Sequence, residues 1–227
     1  MKAALPTGAE KRRAVRHMFD AIAGRYELVN GIMAMGLDTG WRRRCVQALD
    51  LAPGSVVLDV ACGTGDLCRV LAAAGYQRAG LDLSAGMLAH ARTNAPLVLG
   101  DALHAPFRSA CFDGAVSGFA LRNVVDLAAL FVELGRLVRP GGRIGLLDLS
   151  APESPLLRFG HHLWSNHAVP LVGSLLSDPT AYRYLPRSLA YLPPAGTMVA
   201  LLENAGFRAV QRQLLSGGIT QMYVATR

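Results

Sequence analysis

The chain has 227 residues, 52% hydrophobic and 17% charged, punctuated by 24 glycines and 12 prolines, a balance that excludes a disordered or collagen-like chain and suits a single globular domain over residues 1–227. Its net charge of +7 is concentrated near the start, in Lys2, Lys11, Arg12, Arg13, Arg16, Arg25, Arg42, Arg43 and Arg44. Few aromatics stand among these cations, which argues against nucleic acid as a partner and keeps open contact with an anionic membrane surface.

Residues 9–49 read as helical throughout: Val15, Met18, Phe19 and Ile22 recur at three- and four-residue spacing, and Ile32, Met33 and Met35 form a second apolar set. Strand and helix signals then alternate, with strands at 55–60, 78–83, 97–100, 112–117 and 142–149 and helices at 65–74, 84–93 and 126–138. Such alternation predicts a mostly parallel sheet with helices on both faces. Ser84 reads as a helix N-cap and Arg139-Pro140-Gly141-Gly142 as a helix stop. Between residues 151 and 194 a series of prolines breaks the rhythm around two apolar patches, so this segment reads as a helical lid. A helix at 196–205 and two antiparallel edge strands at 207–215 and 219–226 close the chain. The predicted fold class is α/β, Rossmann-like, with a central seven-stranded sheet behind a helical preface over residues 1–50.

No run of about 18 uncharged apolar residues is present, and the first ten residues lack the apolar core of a secretory signal. Cys45, Cys62, Cys68 and Cys111 are scattered, with no Cys-x-x-C and no metal-ligand spacing. The expectation is a cytoplasmic protein with reduced cysteines and no metal, at most peripheral at the inner face of the membrane.

The stretch Val56-Val57-Leu58-Asp59-Val60-Ala61-Cys62-Gly63-Thr64-Gly65-Asp66 reads as a strand running through a glycine turn into a helix. Such a turn presents backbone N–H groups and a helix N-terminus to a ligand, and Gly63 and Gly65 allow close approach because no Cβ intervenes. A dinucleotide fingerprint needs a third glycine at position 68, where the chain has Cys68, which disfavours a nicotinamide cofactor. The second strand ends in Gly80-Leu81-Asp82-Leu83, 17 residues after Gly65. Asp82 then sits where a carboxylate accepts two ribose hydroxyls, with Leu83 and Met87 as neighbouring contacts. The next strand ends in Gly100-Asp101-Ala102, which offers Asp101 as an acceptor for an adenine amino group and Ala102 N–H as a donor. Asp59 closes the first strand where a methionine ammonium is expected, and Ser117 closes the fourth. Carboxylates at three successive strand ends suit a ligand carrying an ammonium, a sulfonium and a ribose, namely S-adenosylmethionine (SAM). Each of them taken alone also reads as a turn or capping residue.

These residues, together with Met18-Phe19-Asp20-Ala21-Ile22-Ala23, Tyr26-Glu27-Leu28-Val29-Asn30, Phe119-Ala120-Leu121-Arg122-Asn123-Val124 and Tyr182-Arg183-Tyr184-Leu185, resemble the UbiE/MenG/Coq5 family of quinone-biosynthesis C-methyltransferases. The likeness runs over nearly the whole chain. It implies transfer of a methyl group from SAM to a ring carbon of a lipophilic polyprenylated hydroquinone, either demethylmenaquinol or the ubiquinone precursor. By position it assigns Thr64, Asp82, Asp101, Ala102 and Ser117 to the cofactor. The chain departs from the family at Glu27, where aspartate is usual, at Ala120, where glycine is usual, and at Asp148-Leu149-Ser150, where Glu-Phe-Ser is usual.

A hydroquinone carbon becomes nucleophilic as a neighbouring hydroxyl loses its proton, and a cation beside that oxygen stabilises the phenolate. Arg122 is the expected stabiliser, not a base, because its guanidinium stays protonated. Asn123 and Tyr26 are expected to hydrogen-bond the ring oxygens, and His167 is the candidate general base, although a satisfied histidine fits that position as well. Two other readings stay open: a methyltransferase acting on another small aromatic or natural-product acceptor, and a non-catalytic SAM-binding protein. A homodimer is compatible with all three.

Overall fold

A computed structural model describes residues 7–152, Ser154 and 188–227, leaving aside the side chain of Asn30. The preface is helical as expected and folds as α1 (Gly8–Ile22), a 3-10 turn at Ala23–Arg25, α2 (Tyr26–Met33) and α3 (Asp38–Gln47). The break after α2 falls at Met35 (φ 50°) and Gly36 (φ 72°), left-handed conformations that a right-handed helix does not contain.

Strand β1 (Val56–Val60), α4 (Asp66–Ala73), β2 (Gln77–Asp82), α5 (Ala85–Ala89), β3 (Leu97–Leu99), β4 (Phe112–Gly118), α6 (Leu127–Leu137) and β5 (Val138–Leu149) follow, then α7 (Ala195–Asn204), β6 (Arg208–Leu215) and β7 (Thr220–Thr226). The seven strands lie in the order β3-β2-β1-β4-β5-β7-β6. Those from β3 to β5 are parallel, and β7 runs antiparallel to both β5 and β6. The α/β, Rossmann-like class expected from the alternation is the one observed.

Successive residues of a strand point to opposite faces, and the two faces of this sheet carry separate cores. Leu58 and Val60 of β1, Ile144 and Leu146 of β5, and Tyr223 and Ala225 of β7 pack with Leu130, Phe131 and Leu134 of α6 and with Met198 and Leu202 of α7. Val57, Val116, Leu147, Met222 and Val224 face the other way, onto Trp41 and Cys45 of α3 and Leu67 and Leu71 of α4. Each buried Leu, Phe or Val side chain contributes about 1.5–3 kcal/mol of hydrophobic stabilisation. Helices as short as the eight-residue α4 depend on this packing, since propensity alone leaves them marginal.

Two expectations are corrected. Helix α5 stops at Ala89 instead of running to residue 93. The Arg92 N–H is taken by Thr64 O at 2.9 Å and the Ala95 N–H by Thr93 Oγ1 at 3.2 Å, ahead of Pro96. Strand β7 is interior, buried along nearly all its length between β5 and β6, so of the closing pair only β6 is an edge. The run Met222-Tyr223-Val224-Ala225 is apolar on both faces, as a strand covered on both sides requires. The lid expected over residues 151–194, with His167, Tyr182 and Tyr184, falls largely outside the described residues; its end forms a 3-10 turn at Leu189–Tyr191. Among the described residues no helix is long and apolar enough to cross a membrane.

Candidate active site

The carboxyl ends of β1 to β4 open into a cleft of about 850 Å³, counted together with the solvent at its open mouth. It lies where the strand order reverses between β1 and β4, the usual crevice for ligands of open parallel sheets. Ala61 and Gly63 follow β1, Asp82 and Leu83 close β2, and Gly100 to Leu103 follow β3. Gly118, Phe119 and Ala120 at the end of β4 continue into Asn123, Val124 and Val125. Helix α1 covers the opening with Arg12, Val15, Arg16 and Phe19, and Tyr26 of α2 completes the wall.

The glycine turn is held by its backbone. Gly63 and Gly65 have φ of 56° and 87°, the left-handed region that glycine enters without penalty. A Cβ on Gly65 would lie 2.7 Å from Thr93 Cγ2, so this residue packs the turn from behind, whereas Gly63 faces the cavity beside Met87. Thr64 Oγ1 is buried without a hydrogen-bond partner. Ala61 (φ 55°) and Phe119 (φ 61°) also stand in the left-handed region, a strain of about 1–3 kcal/mol each that concentrates at functional sites. Nothing in the sequence marks an alanine and a phenylalanine for that role.

Asp82 accepts the Gly63 N–H at 2.7 Å on Oδ2 and the Ser84 N–H at 2.8 Å on Oδ1, with the Leu83 N–H a third backbone donor; a carboxylate has about four acceptor sites, and Asp82 lines the cavity. Burial pushes its carboxyl above the ordinary value, against these backbone donors. Asp101 accepts the Leu103 N–H at 3.1 Å on Oδ1; its Oδ2 is buried and accepts no hydrogen bond, although the Arg12 guanidinium stands 2.9 Å away as an ion pair without hydrogen-bond alignment.

Several expected residues stand behind the cavity instead of on it. Asp59 is 1% exposed, and its Oδ2 accepts from Cys68 N at 3.1 Å and from Cys68 Sγ at 3.3 Å. Burial, then the Cys68 thiol, raises its carboxyl well above the usual range. It thus tethers the first turn of α4 to β1. Ser117 Oγ donates to Val60 O at 2.8 Å within the sheet. Arg122, 5% exposed, does not line the cavity. Its guanidinium pairs with the buried carboxylate of Asp148, which also accepts the Arg122 N–H at 3.0 Å and the Leu149 N–H at 2.7 Å. The residue expected to face the phenolate therefore locks the turn Leu121–Asn123 from behind and presents Asn123 to the cavity. His167 lies outside the described residues.

The cover over the cavity was not foreseen from the sequence. Asp20 Oδ1 accepts from Ser84 Oγ at 2.5 Å and from Gly86 N at 2.9 Å, and a Cβ on Gly86 would meet Asp20 Cα at 2.9 Å. Burial raises the Asp20 carboxyl, but the bonds from Ser84 and Gly86, with Arg16 and His17 nearby, hold it below its ordinary value. At the other end of α1, Lys11 is 4% exposed, donates to Val124 O at 2.8 Å, and has its Nζ 3.6 Å from the centre of the Tyr191 ring. Burial lowers its pKa to about 8. Helix α1 is thus pinned at both ends. Glu27 of α2 binds Arg69 at 3.2 Å and Arg92 at 3.1 Å, while Asp66 pairs with Arg69 and Arg42, and Arg42 with Asp38. This chain of pairs straps α2 and α3 to the start of α4.

The residues present fit SAM. The cavity offers the carboxylate of Asp82, the unfilled Oδ2 of Asp101, and close backbone approach at Gly63, a set matched to a cation carrying a ribose and an adenine.

Comparison with known proteins agrees. The ubiE/COQ5 methyltransferase family matches residues 7–227. The chain is 38% identical over 220 residues to Demethylmenaquinone methyltransferase of Corynebacterium kroppenstedtii, covering 96% of both chains. It is 38% identical over 222 residues to Ubiquinone/menaquinone biosynthesis C-methyltransferase UbiE of Syntrophotalea carbinolica, covering 93% of both. Among solved structures, Phosphoethanolamine N-methyltransferase 2 of Haemonchus contortus in complex with S-adenosyl-L-methionine superposes with a TM-score of 0.70 at 14% identity, over 94% of this chain and 60% of that one. The cyclase SpnF superposes with a TM-score of 0.68 at 15% identity over 99% and 97% of the two chains, so the fold alone does not settle the reaction. The end-to-end sequence match does: the chain belongs to the ubiE/COQ5 methyltransferase family and is a SAM-dependent methyltransferase.

Proposed function

We propose that the chain acts as a single methyltransferase domain that C-methylates the ring of a polyprenylated hydroquinone, with demethylmenaquinol as the acceptor. The observation that supports this most is the 38% identity, over 96% of both chains, to a relative named Demethylmenaquinone methyltransferase; a relative named for both quinones keeps the ubiquinone precursor as a second acceptor of the same chemistry.

When bound, SAM supplies a methyl group on a sulfonium, an electrophile open to in-line displacement by a ring carbon. Asp82 would hold the ribose hydroxyls, with Leu83 and Met87 alongside. Asp101 and the Ala102 N–H would meet the adenine edge. Gly63, Thr64 and Gly65 would cradle the remaining end, where Asp59 acts through the α4 turn and Ser117 through the sheet.

On the acceptor side, Phe19, Phe119, Val124 and Val125 form an apolar wall that excludes water from the ring. Tyr26 and Asn123, both on the cavity wall, would bond the ring oxygens. Arg122 and Asp148 act through Asn123 as positioning residues, a buried ion pair serving to fix one geometry. His167 remains the candidate base. The lipophilic tail of the acceptor brings the chain to the inner face of a membrane as a peripheral protein.

Incubating the purified chain with SAM and reduced, short-tailed demethylmenaquinol is expected to give a quinone heavier by one methylene, and a strain lacking the gene is expected to accumulate the demethylated quinone. Turnover of simple phenols with no product from the hydroquinone would overturn the proposal.

A further inference from the structure

The outward face of α2 and the turn after it carry apolar side chains that no described residue covers. Leu28 is 59% exposed, Ile32 39%, Met35 60% and Leu37 42%; the other large hydrophobics as exposed among the described residues, Val56, Leu99, Val132 and Leu214, stand on separate elements. Half of the exposed large hydrophobics among the described residues thus fall in one ten-residue stretch. The opposite face of α2 is apolar too, with Val29 fully buried and packed with Ile22, and Tyr26 on the cavity wall. Apolar side chains thus stand on two faces of α2, and the described residues cover only one of them.

The charges around the patch are positive. Glu27 and Asp38 are each bound to arginines, Glu27 to Arg69 and Arg92 and Asp38 to Arg42. Arg43 and Arg44 are exposed on α3, and no carboxylate among the described residues pairs with either. At 1.5 Å per residue they lie within about 9 Å of the start of α3, the residue after Leu37. Uncovered apolar side chains rimmed by free guanidiniums suit a bilayer with anionic headgroups, and α2 is itself the partition between this patch and the cavity.

We infer that the surface from Leu28 to Leu37, with Arg43 and Arg44, is where the protein docks on an anionic lipid bilayer. The apolar side chains enter the acyl boundary and the arginines meet the phosphates. A lipid-borne acceptor arriving there is one helix away from Tyr26 and Phe19, whose rings pack edge to face at 5.8 Å. The purpose of docking rests on the hydroquinone reading; the docking itself rests on the patch.

The test is flotation of the full chain with vesicles of mixed phosphatidylglycerol and phosphatidylcholine, against vesicles of phosphatidylcholine alone. Binding is expected on the anionic vesicles, and both Ile32→Ser with Met35→Ser and Arg43→Glu with Arg44→Glu are expected to lower the partition coefficient at least tenfold. Val132→Ser, an equally exposed apolar site on α6, is expected to leave it unchanged. All these positions are exposed, and an unaltered thermal midpoint confirms that the variants fold. Equal binding by wild type and patch variants overturns the inference, as does loss in the Ile32/Met35 variant of a dimer that forms without lipid. Turnover is measured in parallel on a soluble short-tailed hydroquinone. Patch variants that keep this turnover but lose turnover of vesicle-borne acceptor support docking; failure of wild type on the soluble hydroquinone overturns the functional reading and leaves the vesicle result to stand alone.

Discussion

Replacing Lys11 with methionine tests whether the ammonium buried at the start of α1 is held at a cost. Lys11 is 4% exposed, and burial lowers its pKa from 10.5 to about 8. Between those values the unfolded chain binds more protons at this site than the folded one, so the contribution of Lys11 to stability rises with pH across that window. A pKa unit corresponds to about 1.4 kcal/mol, so burying the group costs on the order of 3 kcal/mol at pH 7, where it stays charged, and about 1 kcal/mol at pH 10, where the folded chain holds it as the neutral amine. Methionine keeps an unbranched stem and removes the titration. It also removes the bond to Val124 O and the contact with the Tyr191 ring, a loss present at every pH. The stability of wild type minus variant, from urea unfolding at a series of pH values, is therefore expected to rise by about 2 kcal/mol between pH 7 and pH 10. Lys2 and Lys11 are the only lysines in the chain, so the NMR titration of the Lys11 ε-methylene gives its pKa directly. Parallel stability curves, or a Lys11 titration above pH 10, would refute the reasoning, because the carbonyl and the ring would then solvate the ammonium as well as water does.

Gly65→Ala is expected to lower stability by about 2–4 kcal/mol, from a left-handed φ and a Cβ 2.7 Å from Thr93 Cγ2; adding Thr93→Ser recovers only the steric part in thermal unfolding, and full recovery would show that φ carries no strain. Asp82→Asn is expected to weaken SAM binding by about 1.5–3 kcal/mol through loss of charged hydrogen bonds, and calorimetry showing unchanged affinity would remove Asp82 from the site. Arg122→Ala leaves the Asp148 carboxylate buried without its partner and is expected to cost about 3–5 kcal/mol, only part of it regained in Arg122→Met with Asp148→Leu, because the Arg122 and Leu149 N–H groups then lose their acceptor. A stable Arg122→Ala chain with turnover abolished would mean instead that the guanidinium touches the acceptor.

The parts of the site that could be read from sequence are those fixed by local backbone chemistry. Gly63 and Gly65 need positive φ, and Asp82 and Asp101 sit at strand ends, so spacing alone put them at one edge of a parallel sheet. What could not be read depends on long-range pairing. Arg122 and Asp148 are 26 residues apart and meet because β4 and β5 are paired in a register that carries Ser117 beside Leu146. A strand-end carboxylate looks the same whether it lines a cavity, as Asp82 does, or ties down a neighbouring thiol, as Asp59 does with Cys68. The periodicity of α1 identified an apolar face but not what it covers, since that is decided by contacts as distant as Lys11 with Val124 and Asp20 with Ser84.

The position of Glu27 connects the glycine turn with the outward face of α2. The α2 sequence Tyr-Glu-Leu-Val-Asn-Gly-Ile-Met has one charged residue, and an exposed glutamate there would place a carboxylate beside Leu28, where an anionic surface would repel it. The structure turns that carboxylate inward, onto Arg69 and Arg92, both of which also lie around the glycine turn: Arg69 Nη1 donates to Thr64 O at 3.4 Å and Arg92 N to the same carbonyl at 2.9 Å. The longer glutamate, where the family usually has aspartate, adds one methylene of reach toward two guanidiniums. Neutralising the single acidic group of α2 therefore does two things at once: it leaves the outward face apolar, and it fixes the helix that carries Tyr26 to the glycine turn at the cavity.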